Sequence, residues 1–177
     1  MKTTLPAIAT LLVICSTACA ADAKPPANID STAAFSRLKS LVGEWEADSN
    51  MGKLRLTYTL IAGGAAVVER ETSDHMPEML TVYYMDGKRL LLTHYCMAGN
   101  QPRMEAHSYD GAKGELQFRF LDVTNLAAPG TGHMRNATLR FLDDSHISGE
   151  WQFYESGQLK TTEFAQYTRI HPSTALR

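Results

Sequence analysis

Residues 79–96 read MLTVYYMDGKRLLLTHYC, two runs of strand-forming side chains on either side of Asp86-Gly87. Side chains in each run alternate between two faces, as they do along a β-strand. An Asp-Gly pair between two such runs favours the tight turn of a β-hairpin. The segment therefore predicts two antiparallel strands, 79–86 and 88–96, joined by a short turn.

The same pattern recurs along most of the chain, which is therefore expected to be mainly β. Asp110-Gly111, Asp143-Asp144 and Ser156-Gly157 mark further hairpins, and Gly63-Gly64 marks another reversal. Strands joined by hairpins are antiparallel, so the pattern predicts a meander. A meander of about ten strands is expected to close into a barrel, which removes its exposed edges, and an open sandwich is the alternative. The predicted strands are 43–48, 53–61, 65–73, 79–86, 88–96, 103–110, 114–122, 132–142, 145–155 and 158–169.

Alternation within each strand assigns one set of side chains to the interior. Leu139 and Phe141 are expected to face the core, and the same parity carries Arg135 and His133 inward. One inserted residue would invert such an assignment, because side chains alternate with a period of two. The other rows expected to face inward are Leu54, Leu56, Tyr58 and Leu60; Leu116, Phe118 and Phe120; and Ile147, Gly149, Trp151 and Phe153.

The first twenty residues, 1–20, have the composition of a secretory signal peptide. Lys2 precedes an apolar stretch that is too short to span a bilayer, and Ala18-Cys19-Ala20 is typical of a signal-peptidase site. Cleavage before Ala21 would release a periplasmic or secreted protein. Cleavage before Cys19, with a lipid anchor attached to that residue, is the alternative.

One domain is expected to follow this leader. Residues 21–30 are polar and contain two prolines, so they predict a flexible lead. Residues 31–170 are long enough to bury one hydrophobic core and form the barrel domain, and 171–177 are a C-terminal tail. The spacing of Phe35 and Leu38 predicts one short amphipathic N-terminal helix that ends before the first strand.

Composition and charge exclude some classes of binding partner. The formal net charge is −2 and no stripe of Lys or Arg occurs. Nucleic-acid binding is therefore not expected, because neutralisation of phosphates supplies most of its affinity. Cys96 is the one cysteine beyond the leader, so the mature chain is expected to lack an internal disulfide. No transmembrane segment is expected in the mature chain.

The start of the first predicted strand carries a family resemblance. Gly43-Glu44-Trp45 follows the short helix and resembles the G-x-W signature of the calycin superfamily, which includes lipocalins, fatty-acid-binding proteins and nitrobindin-like barrels. LVGEWEA (41–47) and the closing FAQYTRI (164–170) also resemble bacterial exported lipocalin-like families of unknown function. The resemblance implies a barrel with a cavity for a small apolar molecule, and Trp45 is expected to close one end of it.

The densest polar cluster of the sequence is THYCMAGNQPRM, residues 93–104. His94 and Cys96 share a strand face with Leu90 and Leu92, so both are expected to look inward. An imidazole beside a thiol can bind a soft metal or form a nucleophile–base pair, and a buried free cysteine also serves as a small apolar side chain. Arg103 is expected to line the mouth of the cavity.

A second cluster, Gly132-His133-Met134-Arg135, opens a later strand. If His133 and Arg135 face inward, a buried guanidinium needs an acidic partner or an anionic ligand. Glu69 or Glu163 is the expected internal partner. A structural salt bridge at the rim is the alternative reading of the same residues.

Three functions that use a site remain open at this point, beside a fourth, an envelope interaction protein whose barrel is filled by side chains. The first is an exported, non-catalytic binding protein for a small hydrophobic or amphiphilic ligand, with an anionic head group as one option, that contacts His94, Cys96, Arg103, His133 and Arg135. The second is a haem-binding barrel of the nitrobindin-like kind, with His94 or His133 as the axial ligand. The third is an enzyme that uses the His94–Cys96 pair, for which the sequence contains none of the familiar hydrolase or metalloprotease motifs.

Overall fold

A computed structural model of the protein describes residues 29–49 and 52–172. The predicted signal peptide, the lead up to residue 28 and the tail from residue 173 lie outside the described residues. In the part of the chain that is described, no helix is long and apolar enough to cross a membrane.

One helix precedes ten strands. The helix α1 is Ser31–Lys39, and the Asp30 side chain caps it by accepting a 2.9 Å hydrogen bond from the Ala33 backbone N–H. The strands lie close to their predicted bounds, because the turn residues that delimit them are local in sequence. They are β1 (Gly43–Ser49), β2 (Gly52–Ile61), β3 (Ala66–Ser73), β4 (Met79–Asp86), β5 (Arg89–Tyr95), β6 (Gln101–Asp110), β7 (Glu115–Thr124), β8 (His133–Phe141), β9 (His146–Glu155) and β10 (Gln158–Pro172).

The strands form a closed antiparallel barrel. Each strand pairs with the next in sequence, and β10 returns to pair with β1. This confirms the predicted meander barrel and excludes the open sandwich. Closure gives every strand a neighbour on both sides, which limits edge-to-edge aggregation.

The two ends of the barrel differ, and we call them the closed end and the open end. The closed end carries α1, which contacts β4, β5 and β6, together with the hairpins that join β2 to β3, β4 to β5, β6 to β7 and β8 to β9. The open end carries the remaining connections, including the longer loops 74–78, 96–100 and 125–132.

Trp45 fills the closed end, as predicted. None of its surface is exposed, and its indole Nε1 donates a 2.8 Å hydrogen bond to the Leu41 carbonyl. The Arg169 guanidinium lies 4.0 Å from the ring and also donates to the Ser40 and Val42 carbonyls. Ala34, Phe35 and Leu38 of α1 belong to the same buried cluster. Trp45 therefore plugs the interior at this end, and a polar recess of about 610 Å³, lined in part by Asp144 and Arg169, lies on the surface beside it.

Most of the predicted inward rows are confirmed. Eight residues of these rows are 5% exposed or less. They are Leu54, Leu56, Tyr58, Leu116, Phe118, Leu139, Phe141 and Ile147. Leu60 is 45% exposed because it lies near the end of β2, beyond the buried core.

Candidate functional site

The interior contains two adjoining cavities. The first has a volume of about 300 Å³ and lies where β1 and β10 diverge, since their backbones pair only through Gly43–Glu46. The second, about 330 Å³, lies at the open end. Thr161 and Glu163 line both cavities, so together they form one candidate binding region.

The walls of the two cavities have different chemistry. Glu71, Trp151 and Tyr167 line the first, together with Glu163. Sulfur atoms dominate the second, which we call the methionine rim. Its sulfur-containing residues are Met76, Met79, Cys96, Met97 and Met134. Thioether side chains adapt to irregular apolar surfaces, which suits them to contact with a ligand.

The interior also contains a buried carboxylate. Glu69 is 4% exposed and accepts hydrogen bonds from the hydroxyls of Tyr58 (2.6 Å) and Tyr83 (2.8 Å). Burial raises the pKa of Glu69, and the hydrogen bonds from Tyr58 and Tyr83 oppose that effect. Glu69 is thus a satisfied acid that holds three strands together.

Two further acids face the cavity itself. Burial raises the pKa of Glu71 to about 7, and the charges of Glu69 and Glu163 add to this effect. Burial also raises the pKa of Glu163. Among the described residues, no Lys or Arg nitrogen lies within 4 Å of Glu69, Glu71 or Glu163. The interior is therefore acidic and has no internal counter-charge.

His94 faces the interior, as predicted from parity. It is 4% exposed, its ring lies 5.0 Å from that of Trp151, and its Nδ1 is 3.0 Å from the Thr81 hydroxyl. Burial lowers the pKa of His94 to about 4, so the ring is neutral at pH 7. Its Nε2 is buried and has no hydrogen-bond partner among the described residues.

Cys96 lies just beyond the end of β5, on the methionine rim. Burial raises the pKa of its thiol, and the nearby charges of Glu163 and Glu71 act in the same direction. No hydrogen bond joins its sulfur to His94 in the described structure. Because the reactive form of cysteine is the thiolate, this environment suppresses nucleophilic chemistry at Cys96.

The predicted inward orientation of His133 and Arg135 is wrong. The register between β8 and β9 shifts between Met134 and Asn136, which is a β-bulge at Arg135. Met134 consequently takes the inward position and is only 4% exposed. His133 pairs with Tyr154, which lies on the outward parity of β9.

Two aromatic rings lie beside Arg135. Its guanidinium lies over the rings of Phe120, at 4.5 Å, and Tyr154, at 5.6 Å. Neither Glu69 nor Glu163 lies within ion-pair distance of it, nor does any other described carboxylate. Cation–π contacts replace the predicted internal ion pair. Arg135 therefore cannot orient an anion inside the barrel.

Arg103 also lies on the outer wall, contrary to the prediction that it lines the mouth. It follows the inward-facing Pro102 and precedes Met104, and it pairs across the sheet with Thr93 and Asp122. Its Nε donates a 2.6 Å hydrogen bond to Asp122, and a second guanidinium nitrogen contacts the same carboxylate. This is a surface ion pair.

Sequence reasoning missed Glu71 and the network around Glu69. The strand that carries them reads AVVERETS, and both of its faces include charged residues. Period-two alternation alone therefore cannot say which charge is buried. The available signal was the shared parity of Val67, Glu69 and Glu71, which places two acids on the face of a β-branched residue.

The haem hypothesis does not fit these residues. His133 lies on the outer wall, and His94 Nε2 is enclosed beside Trp151, whereas an axial ligand needs space for iron at that nitrogen. β10 extends further than predicted and includes His171, which pairs with Glu44 at the closed end, away from both cavities. Among the described residues, no three His, Cys, Asp or Glu side chains group closely enough to hold a metal ion.

Solved structures share the barrel. A protein of unknown function of the DUF3598 family from Nostoc punctiforme matches with a TM-score of 0.51 and 11% identity, over 75% of this chain and 49% of that chain. Rv2717c from M. tuberculosis matches with a TM-score of 0.52 and 16% identity, over 77% and 96% of the two chains.

These likenesses show the fold alone, and the fold is consistent with the calycin-like barrel that the Gly43-Glu44-Trp45 resemblance implies. The chain spans about half the length of the DUF3598 protein. No family model matches the sequence, and no curated protein does.

Proposed function

We propose that the protein is a non-catalytic binding protein that holds a small apolar or amphiphilic molecule inside a lipocalin-like barrel. The observation that carries this proposal is the pair of adjoining cavities, about 300 and 330 Å³, which share Thr161 and Glu163. Volumes of this size are at the lower end of the range for small-molecule sites. Burial of apolar ligand surface against the methionine rim supplies the affinity.

The same proposal places the protein in the periplasm or outside the cell. It rests on the signal-peptide pattern of residues 1–20. The intact mass of the exported protein tests it: a mature start at Ala21 supports a free protein. A start at Cys19 with the added mass of lipid would instead make it an anchored one.

Native mass spectrometry of the exported protein, followed by solvent extraction, tests ligand binding directly. A bound small molecule that is released by solvent supports the proposal. In parallel, the protein is titrated with N-phenyl-1-naphthylamine, a neutral dye whose fluorescence rises in apolar surroundings. We expect saturable binding at one site per chain.

A cavity-filling variant locates the site. A Cβ built at Gly149 would meet its nearest atoms at 3.7–4.0 Å, which is ordinary contact, so Gly149→Leu directs its extra atoms into the first cavity. We expect dye affinity to fall at least tenfold. Gln166→Leu, on the exposed face of the adjoining strand, is the matched control and should keep its affinity. Absence of both dye binding and extractable ligand in the unmodified protein would refute the binding function.

A further inference from the structure

The acids of the cavity have no partner of opposite charge among the residues that the structure describes. Glu71 and Glu163 line one cavity, and Glu69 lies close enough for its charge to influence Glu71. On the outer wall, by contrast, carboxylates such as Glu46 and Glu105 are paired with arginines. Keeping several acids together in a buried site is unfavourable unless they are protonated or a cation joins them.

His94 contributes an unsatisfied polar atom beside the same cavity. Its Nδ1 lies 3.0 Å from the Thr81 hydroxyl, and its Nε2 is buried and has no hydrogen-bond partner among the described residues. The His94 ring lies 5.0 Å from that of Trp151, a wall residue of the cavity. Nε2 therefore lacks a partner that a ligand could supply.

Aromatic rings complete the same region. Trp151 pairs in register with Glu163, and Tyr167 lies further along the same inward row of β10. Both rings line the first cavity. The faces of aromatic rings attract organic cations, an interaction that gains strength when the group is removed from water. Carboxylates and aromatic faces both favour a positively charged N–H donor.

We propose that the ligand carries an organic ammonium group, which lies between Glu71 and Glu163 while its apolar part extends towards the methionine rim. This inference rests on the proposed binding function and names the chemical class of the ligand. There the ammonium group contacts the ring of Trp151, which lies 5.0 Å from the ring of His94. An anionic ligand would instead be repelled.

A series of ligands with one chain and three head groups tests this assignment. Decylamine, decan-1-ol and decanoate, each below its micelle concentration, displace N-phenyl-1-naphthylamine from the exported protein at pH 8. We expect the amine to bind at least tenfold more tightly than the alcohol, and decanoate to bind most weakly. The apolar chain is constant, so the ratio between amine and alcohol measures head-group recognition alone.

Variants of the two cavity acids show whether these residues recognise the head group. Glu71→Gln with Glu163→Gln keeps the shape of both side chains, and it should abolish the preference for amine over alcohol while alcohol affinity stays within threefold. Glu155→Gln with Asp144→Asn is the matched control, because both acids are exposed and their replacement also removes two charges. The control should keep the preference.

The possible outcomes separate the two proposals. Equal affinity for amine and alcohol, or tighter binding of decanoate, would overturn the ammonium assignment and leave the binding function standing. Displacement of decylamine by millimolar Ca²⁺ or Mg²⁺ would also overturn it in favour of an inorganic cation. If the dye and all three decyl compounds fail to bind, the binding function itself fails.

Discussion

The two tryptophans of the protein have different surroundings. Trp45, at the closed end, has none of its surface exposed, its indole N–H is bonded to a backbone carbonyl, and Arg169 covers its ring. Trp151 is half-buried on the wall of a cavity, beside the neutral ring of His94. The polar atom of Trp45 has its hydrogen bond, whereas at the cavity Glu71 and Glu163 have no basic partner and His94 Nε2 has no hydrogen-bond partner among the described residues. The first region therefore serves stability, and the second is suited to binding.

Removal of each tryptophan side chain in turn should give the largest difference in stability between these regions. We expect Trp45→Ala to lower the free energy of unfolding by about 3–5 kcal/mol, because it leaves a large hole in a packed core. Trp151→Ala should cost roughly 1–2 kcal/mol, since part of its apolar surface is already exposed. Urea unfolding of both variants at pH 7 measures this difference. Equal losses would show that the cavity wall is packed as firmly as the plug.

Glu71 should make the free energy of unfolding depend on pH. Its pKa is raised from 4.5 to about 7 on folding, so the folded protein binds protons more tightly than the unfolded chain. Stability is therefore lost as the pH rises from about 4.5 to 7, and the loss is complete above 7. We expect Glu71→Gln to stabilise the protein by about 1–2 kcal/mol at pH 8 and to have little effect at pH 4.5.

His94 makes stability depend on pH with the opposite sign to Glu71, and the Glu71 variant separates the two contributions. The lowered pKa of His94 means that stability falls as the pH drops from 6.5 to about 4, in both proteins alike. Subtracting the unfolding free energies of wild type and variant at each pH removes that contribution. A gain that is the same at pH 8 and pH 4.5 would contradict the account of Glu71, and Glu155→Gln should show no gain that depends on pH.

The smallest effects are expected on the outer wall. Arg103→Met and Arg135→Met remove cations that the barrel wall separates from the cavity, so dye and decanoate affinities should stay within twofold of wild type. Arg103 contacts Asp122, and Arg135 lies over two aromatic rings. Competition binding measures both variants. A tenfold loss of decanoate affinity in Arg135→Met would contradict the outer-wall position and support the predicted inward orientation of that side chain.

Local sequence signals were enough to predict the barrel. Pairs such as Asp86-Gly87 fix the hairpins, alternation fixes the strands between them, and Trp45 marks the start of β1. Each signal acts within a few residues of the structure that it specifies. The predicted strands and the closed end are confirmed for this reason.

The candidate site depends on features that are not local. The bulge at Arg135 has neither Gly nor Pro to mark it, yet this one residue moves His133 and Arg135 outward and Met134 inward. The nearness of Glu71 and Glu163 depends on how β3 and β10 meet across the closed barrel. His94 was placed correctly because it lies within a regular strand, whereas its unpartnered nitrogen depends on tertiary contacts with Thr81 and Trp151.

The two indole N–H signals in a ¹H–¹⁵N NMR spectrum test the central claim most directly, since the protein contains two tryptophans. Trp151→Phe assigns the signals. During titration with N-phenyl-1-naphthylamine, we expect the Trp151 signal to move and saturate with ligand while the Trp45 signal stays in place. Movement of Trp45 with Trp151 unchanged, or binding of the dye that moves neither signal, would contradict a ligand site inside the barrel.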